Sequence, residues 1–269
     1  MSLSVIMVSY RTGPSLIGAV RAAAVDADEV IVVDNGNPPE ARRALLRAVQ
    51  DLDTVRLVQG HGNIGFARAC NYGAALSHAD HLLFLNPDTD IEPGAASALA
   101  EAGNGRIRPW IAGGLIVDDR GRELRGARRG ELTPGSVLSG FNRTGEPLPD
   151  GPVPMPTITG AMLMTDRASF RMLGGFDEAY FLHVEDIDLC RRARRAGGEV
   201  IFVPQARALH HGATSDVPPW RVEAHKLRGL LRYFWTQDGR LSKLTALLLS
   251  PFLIAAVTGR AVWRSFRRT

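Results

Sequence analysis

Strand-length apolar runs alternate with longer amphipathic stretches through about the first hundred residues of the chain. Leu3–Val8, Glu29–Val33, Val55–Val58 and His81–Leu85 are nearly continuous in hydrophobicity, the pattern of strands covered on both faces. Between them Pro14–Ala24, Pro39–Val49 and Gly65–Leu76 read as helices. Pro14, Pro39 and Pro93 stand where proline is best tolerated, in a helix's first turn. The rhythm is βαβ and predicts an α/β fold, a mostly parallel sheet with helices on both faces.

Past Ala112 the pattern loosens. A strand at Ala112–Val117, a hairpin around Asp118–Gly121 and a Pro/Gly-rich loop from Thr133 to Pro156 are expected, the loop as a lid. An apolar segment at Ile158–Met164 leads through Gly174-Gly175-Phe176-Asp177 to a helix at Glu185–Ala196, a strand at Val200–Val203 and a histidine-bearing loop at Leu209–Ser215. After Pro218-Pro219 the sequence turns helical and basic, which sets a boundary between residues 1–217 and a tail of residues 218–269.

Charge sharpens that boundary. The 269 residues carry a net +4, but Trp220 to Thr269 hold ten Lys/Arg against two carboxylates, a local +8 that leaves −4 for the preceding 219. A mildly acidic body without a basic-aromatic stripe argues against nucleic acid as partner. The tail's basic residues flank Phe234, Trp235, Phe252, Trp263 and Phe266, a pattern suited to lying on anionic lipid or to packing on the body or on a second copy as a homodimer. Its longest apolar stretch, Leu244–Val257, has 14 residues interrupted by Thr245, Ser250 and Pro251, short of the roughly 20 a membrane span needs. Met1–Tyr10 has no basic n-region, and Cys70 and Cys190 stand far apart without metal-ligand spacing. Together these features predict a cytoplasmic protein, peripheral on the inner face of the cell membrane.

In open α/β sheets, ligand-binding groups gather at the carboxyl ends of strands. Polar clusters fall there: Ser9-Tyr10-Arg11, Asp34-Asn35-Gly36 and Asn86-Pro87-Asp88-Thr89-Asp90. Asp88 and Asp90, one residue apart, would converge on one hard cation if extended, although Asn-Pro-Asp is also turn chemistry. Glu185, Asp186 and Asp188 favour a helix N-terminus, and at least one of them is expected to line a cleft as a general base. Of the adjacent His210 and His211, at most one should face a given site. Asn63-Ile64-Gly65 before Arg68 and Asn71 would let a ligand approach the backbone closely at Gly65, or would form an ordinary strand-to-helix turn.

Taken in order, these motifs resemble the family 2 glycosyltransferases of GT-A fold: Ser4-Val5-Ile6-Met7-Val8-Ser9-Tyr10, Val32-Val33-Asp34-Asn35-Gly36, Asn63-Ile64-Gly65-Phe66-Ala67 with Asn71, Leu85-Asn86-Pro87-Asp88-Thr89-Asp90, Thr159-Gly160-Ala161, Gly174-Gly175-Phe176-Asp177, Glu185-Asp186-Ile187-Asp188-Leu189 and His210-His211-Gly212. The Asn-Pro-Asp and Glu-Asp-x-Asp-Leu forms look most like rhamnosyltransferases. The resemblance implies a nucleotide-sugar half at about residues 1–117 and an acceptor half at about residues 118–217. It implies a dTDP- or UDP-sugar donor bound by Ser9, Tyr10, Asp34, Asn63, Gly65, Arg68, Asn71 and Asp88. A divalent cation, Mg²⁺ or Mn²⁺, would be held by Asp90, Asp88 and His210 (or His211). Asp186 would be the catalytic base, with Glu185 beside it, and inversion would follow from a single displacement by a glycan or polyprenyl-linked acceptor. A non-catalytic membrane-associated binding module and a sugar-nucleotide nucleotidyltransferase are the competing expectations; Ser9–Pro14 is too short for the latter's Gly-rich loop.

Overall fold

The computed structural model describes residues 2–59, 61–124, 126–133, 136, 145–211 and 217–236, with 243, 247, 248, 250, 251, 255 and 259 beyond them. The first half runs β1 (Leu3–Ser9), α1 (Ser15–Ala23), β2 (Glu29–Asp34), α2 (Pro39–Val49), β3 (Val55–Val58), α3 (Phe66–Leu76), β4 (His81–Leu85), β5 (Thr89–Ile91) and α4 (Ala95–Gly103). The second half adds β6 (Trp110–Val117), β7 (Arg128–Arg129), β8 (Val153–Pro154), β9 (Thr157–Ile158), β10 (Met162–Asp166), α5 (Arg167–Met172), α6 (Glu185–Arg195), β11 (Glu199–His210) and α7 (Pro219–Trp235).

One sheet organises the molecule in the order β3-β2-β1-β4-β10-β6-β11-β5, with β8 also pairing β11. Strands β3, β2, β1, β4, β6 and β11 run one way, and β10, β5 and β8 run against them. Alternation along β1 sends Leu3, Val5 and Met7 to one face, packed under α1, α2 and α4. Ile6 and Val8 go to the other face, under α3, α5 and α6. The expected fold is therefore present, and all four strand-length runs of the first hundred residues are strands.

Departures from expectation cluster where tertiary pairing overrides local pattern. Asp90 lies in β5, a three-residue strand that exists because β11 pairs with it. β11 does not stop at Val203: a register shift between Val203 and Arg207 absorbs Pro204, and the strand continues to His210, so Leu209 and His210 belong to a strand rather than a loop. Six-residue α5, capped by Asp166 accepting from Ser169 N at 2.6 Å, is too short to show a helical period. Within the expected lid, residues 134–135 and 137–144 lie outside the described residues, as does most of the tail beyond Thr236.

The first helix after the expected boundary at residues 217/218, α7 (Pro219–Trp235), packs on the body. Leu230, Tyr233 and Phe234 bury against Leu132, Tyr180, Val184 and Ile187. Arg232 donates twice to Asp177 Oδ2, at 3.0 and 2.7 Å, and Arg191 Nη1 donates to the Tyr233 carbonyl at 3.1 Å. Among the described residues no helix is long and apolar enough to cross a membrane.

Candidate active site

The carboxyl ends of β1, β2 and β4 form a polar floor whose groups are mostly engaged with one another. Asp34 ends β2 with its side chain fully covered, and accepts from Gly36 N (3.1 Å), Asn37 N (2.8 Å), Asn37 Nδ2 (2.9 Å) and Arg42 Nε (2.6 Å). Burial alone would raise its pKa, but the Asn37 hydrogen bonds and the Arg42 charge outweigh it and hold the carboxyl below its usual range. Asn37 Nδ2 also donates to Ser9 Oγ at 2.9 Å and to the Ser9 carbonyl at 3.1 Å, joining the ends of β1 and β2. Tyr10 follows at the bend, half-buried, with the Arg11 guanidinium 5.8 Å from its ring centre.

Asn63 and Gly65 are held in the same network. Asn63 Oδ1 accepts from Asn35 Nδ2 and Gly65 N, both at 3.1 Å. Gly65 has φ +88° and ψ 161°, a region open essentially to glycine alone. A Cβ there would stand 2.9 Å from Phe181 Cδ2, and Phe66 N donates to the Phe181 carbonyl at 2.7 Å. What approaches Gly65 closely is thus Phe181 of the chain itself. Arg68 and Asn71 are not brought to this floor. Arg68 pairs with Glu178 at 3.0 Å on the surface, and Asn71 clamps Phe176 through its carbonyl (2.9 Å) and its N–H (2.9 Å).

Asp88 sits in the turn before β5 and Asp90 within that strand. Each meets its own histidine: Asp88 Oδ1 lies 3.5 Å from His210 Nε2, and Asp90 Oδ2 lies 2.9 Å from His211 Nε2. The first pair is the more enclosed, its side chains 10% and 17% exposed; the second is 34% and 37% exposed. Asp90 Oδ1 is buried without a hydrogen-bond partner among the described residues and points toward Gly18 of α1. No cluster of three or more His, Cys, Asp or Glu arranged for a metal occurs among the described residues. A divalent cation that retains waters and takes phosphate oxygens needs fewer protein donors than that, and the half-exposed Asp90–His211 pair with its orphaned carboxylate oxygen fits one.

The base candidate stands on the neighbouring strand connection. Asp186, in the first turn of α6, accepts at Oδ2 from Gly160 N (2.9 Å) and Arg129 Nη1 (3.2 Å), and at Oδ1 from Ile187 N (2.8 Å). Gly160 is small for a reason: a Cβ there would come 3.2 Å from the Asp186 Cβ. One residue on, the Ala161 carbonyl accepts from Asn86 N at 3.0 Å, and Asn86 Nδ2 lies 3.3 Å from His210 Nε2. A short bonded path therefore links the Asp186 corner to the Asp-His corner. Glu185 is buried with Oε2 unpartnered among the described residues; burial, then the adjacent Asp186, push its pKa up. Asp188 faces away and binds Arg191 Nη2 (2.5 Å) and Arg192 Nε (2.7 Å).

Two further groups at this corner escape sequence reasoning. Arg129 is one of an adjacent arginine pair on β7; its neighbour Arg128 is buried on Glu123, and strand alternation sends the two to opposite sides. His183 and Val184 both have positive φ (67° and 77°), a costly conformation for non-glycine residues that turns the chain directly into Glu185-Asp186. The turn is braced by α7, where a Cβ on Gly229 would meet the His183 carbonyl at 2.9 Å. A separate cavity of about 730 Å³, lined by His81, Arg106, Arg108, Trp110 and Arg171 among others, lies at the amino ends of β4 and β6 and includes none of these residues.

Comparison with known proteins bears on the family and the fold. The family description "Glycosyl transferase family 2" matches residues 4–105, and "N-terminal domain of galactosyltransferase" matches residues 144–214. An N-acetylglucosaminyl-diphospho-decaprenol L-rhamnosyltransferase of Mycobacterium tuberculosis is 31% identical over 254 residues, covering 83% of this chain and 81% of the relative. The O-antigen biosynthesis protein RfbC of Myxococcus xanthus is 28% identical over 202 residues, 70% of this chain but 15% of that much longer protein. Among solved structures, GalNAc-T7 with UDP, GalNAc and Mn²⁺ superposes with TM-score 0.63 at 17% identity, covering 88% of this chain, which spans 48% of that one. S. aureus TarS 1-349 superposes with TM-score 0.59 at 13% identity, covering 93% of this chain and 69% of its own. These last two likenesses establish the GT-A fold.

Proposed function

The chain belongs to the family 2 glycosyltransferases, and from that premise we infer that it transfers rhamnose from a nucleotide-diphosphate donor, dTDP-rhamnose first among candidates, to a hydroxyl of a polyprenyl-diphosphate-linked or polysaccharide acceptor. The observation that carries this reading is the bonded path from Asp186 through Gly160-Ala161 and Asn86 to His210, which sets one carboxylate base beside a carboxylate–imidazole corner. Inverting transfer needs that pairing: a base for the acceptor hydroxyl on one side and a place for the diphosphate on the other.

Asp186 takes the proton of the acceptor hydroxyl as its oxygen bonds to the anomeric carbon and the bond from that carbon to the diphosphate breaks. The Gly160 N–H and Arg129 hold Oδ2 in place for this. Asp90 and His211 would hold a divalent cation, Mg²⁺ or Mn²⁺, which stabilises negative charge on a departing diphosphate. The covered carboxylate of Asp34 acts on the nucleobase through the Asn35–Asn37 turn that it shapes, with Ser9, Tyr10, Asn63 and Asp88 completing the donor floor. Asn71 and Arg68 serve the donor side indirectly, by fixing α3 to the 176–178 segment. The basic stretch beyond α7 brings the enzyme to anionic lipid, where a polyprenyl-linked acceptor resides.

Calorimetric titration with dTDP and UDP, each with Mn²⁺ and then EDTA, tests the donor half. Cation-dependent binding that favours dTDP and is lost in Asp90→Ala is expected. Binding of neither nucleotide under any condition would overturn the donor assignment.

A further inference from the structure

The residue pair at the start of α6 poses a problem of charge. Glu185 and Asp186 are adjacent, both buried, and both in the first turn after an N-cap, Val184, whose side chain offers no hydrogen bond. Two carboxylates this close resist ionising together, so the site must decide which one is the anion. The base has to be Asp186 in its ionised form, since a protonated carboxyl takes no proton from the acceptor.

The surroundings are unequal. Asp186 Oδ2 meets two donors, Gly160 N at 2.9 Å and Arg129 Nη1 at 3.2 Å, with the two side chains of the ion pair 10% and 19% exposed. Glu185 Oε2 meets none among the described residues; the Glu185 carboxyl accepts from its own backbone N–H, and Arg129 acts on it through its charge rather than a hydrogen bond. The other titratable groups facing this corner are His183 from the preceding turn, with Lys226 and His225 of α7 behind it, Cys190 on α6 and Cys70 on α3. Burial holds His183 neutral near pH 7, pushing its pKa down to about 4, and burial pushes both thiols up, so neither kind of group supplies a countercharge there. Of the cationic side chains that act on this corner, Arg129 is the one bonded directly to Asp186.

We propose that Arg129 is the positioning residue of the base: its charge makes Asp186 the ionised member of the Glu185–Asp186 pair, and its Nη1, with the Gly160 N–H, fixes Oδ2 for the acceptor hydroxyl. After transfer the proton resides on Asp186, the ion pair with Arg129 is lost, and release of that proton to solvent restores it. Glu185 stays protonated throughout and contributes no charge.

The proposal rests on the transferase reading, and two measurements keep their failures apart. The first needs no substrate: infrared titration of carboxyl signals in the full-length chain between pH 4 and 8, assigned with Glu185→Gln and Asp186→Asn. The Glu185 signal is expected to remain protonated at pH 7. The Asp186 signal should ionise at clearly higher pH in Arg129→Gln, which keeps an N–H donor without charge, and near the native position in Arg129→Lys, which keeps the charge. An Asp186 signal that titrates identically in Arg129→Gln and native protein, or a native protein in which Glu185 is the ionised partner, overturns the proposal whatever the enzyme's activity.

The second measurement is the pH dependence of dTDP release from dTDP-rhamnose. Arg129→Gln should lower kcat roughly 10- to 100-fold with KM for the donor within about twofold, move the acid limb toward higher pH, and be partly restored in Arg129→Lys. Equal kcat losses in both variants with an unmoved acid limb would mark Arg129 as a packing residue only. If the native chain releases no dTDP although its carboxyls titrate as expected, the donor assignment fails and the charge assignment stands.

Discussion

Asp34 and Gly65 show how the residues that suit a ligand also suit a turn. Both occupy positions where the family resemblance implies nucleotide contact, yet their immediate partners are the chain itself: Arg42 and the Asn35–Asn37 turn for Asp34, Phe181 for Gly65. Gly65→Ala is therefore expected to cost about 2–4 kcal/mol of folding stability, from a backbone conformation denied to L-residues and from the clash with Phe181, read as a lower midpoint in thermal unfolding. Nucleotide binding that weakens with no change in that midpoint would place the glycine's role at the ligand instead. Turn chemistry and ligand chemistry use the same small polar residues. For that reason the sequence brought these groups to the strand ends and could not say which neighbour each would meet. Arg129 was illegible for a related reason: its partner lies 57 positions away, and only the fold brings them together.

Among the elements, long strands and helices were legible because their own periodicity specifies them. β5, β8, β9 and α5 were not, because each is too short to carry a period and exists through a partner. The turn into α6 is the element on which the site depends, and it has opposing pH sensitivities. His183 keeps some accessible surface but is densely surrounded, and burial, then Lys226, push its pKa down to about 4 from 6.5. A depressed folded value means stability present above pH 6.5 and lost as pH falls toward 4, up to about 3 kcal/mol. Glu185 is raised, so its contribution is present below its unfolded value near 4.5 and is lost as pH rises toward the folded one. Denaturant unfolding across pH 4 to 9 should show a stability maximum that broadens on the acid side in His183→Gln and on the alkaline side in Glu185→Gln. Identical pH dependence in native protein and both variants would remove these two groups from the account.

At the scale of the whole molecule, α7 belongs with the body by its contacts, and the basic stretch beyond it is the part proposed to meet lipid. A chain ending at Thr236 should keep the native unfolding midpoint within a few degrees and keep dTDP binding, while losing sedimentation with anionic phosphatidylglycerol vesicles. A chain ending at residue 217 should lose several kcal/mol, because Tyr180, Val184 and Ile187 are uncovered beside the base. Vesicle binding undiminished in the chain ending at Thr236 would assign membrane contact to the body. The mostly parallel sheet and its two-faced helical cover were readable as soon as the βαβ rhythm was seen; the order of the strands and the antiparallel insertion of β10 between β4 and β6 were not, since nothing local in Met162–Asp166 reports strand direction.

The central claim is that this fold performs rhamnosyl transfer with Asp186 as its base. Its most direct test supplies the full-length chain with dTDP-rhamnose, Mn²⁺ or Mg²⁺ and an N-acetylglucosaminyl-diphosphate polyprenol in detergent, and follows both the glycolipid and the configuration at its new anomeric centre. The account predicts an inverted rhamnosyl product from the native protein and a rate lower by about 100-fold or more in Asp186→Asn. Retained configuration, or a native rate in Asp186→Asn, would contradict it.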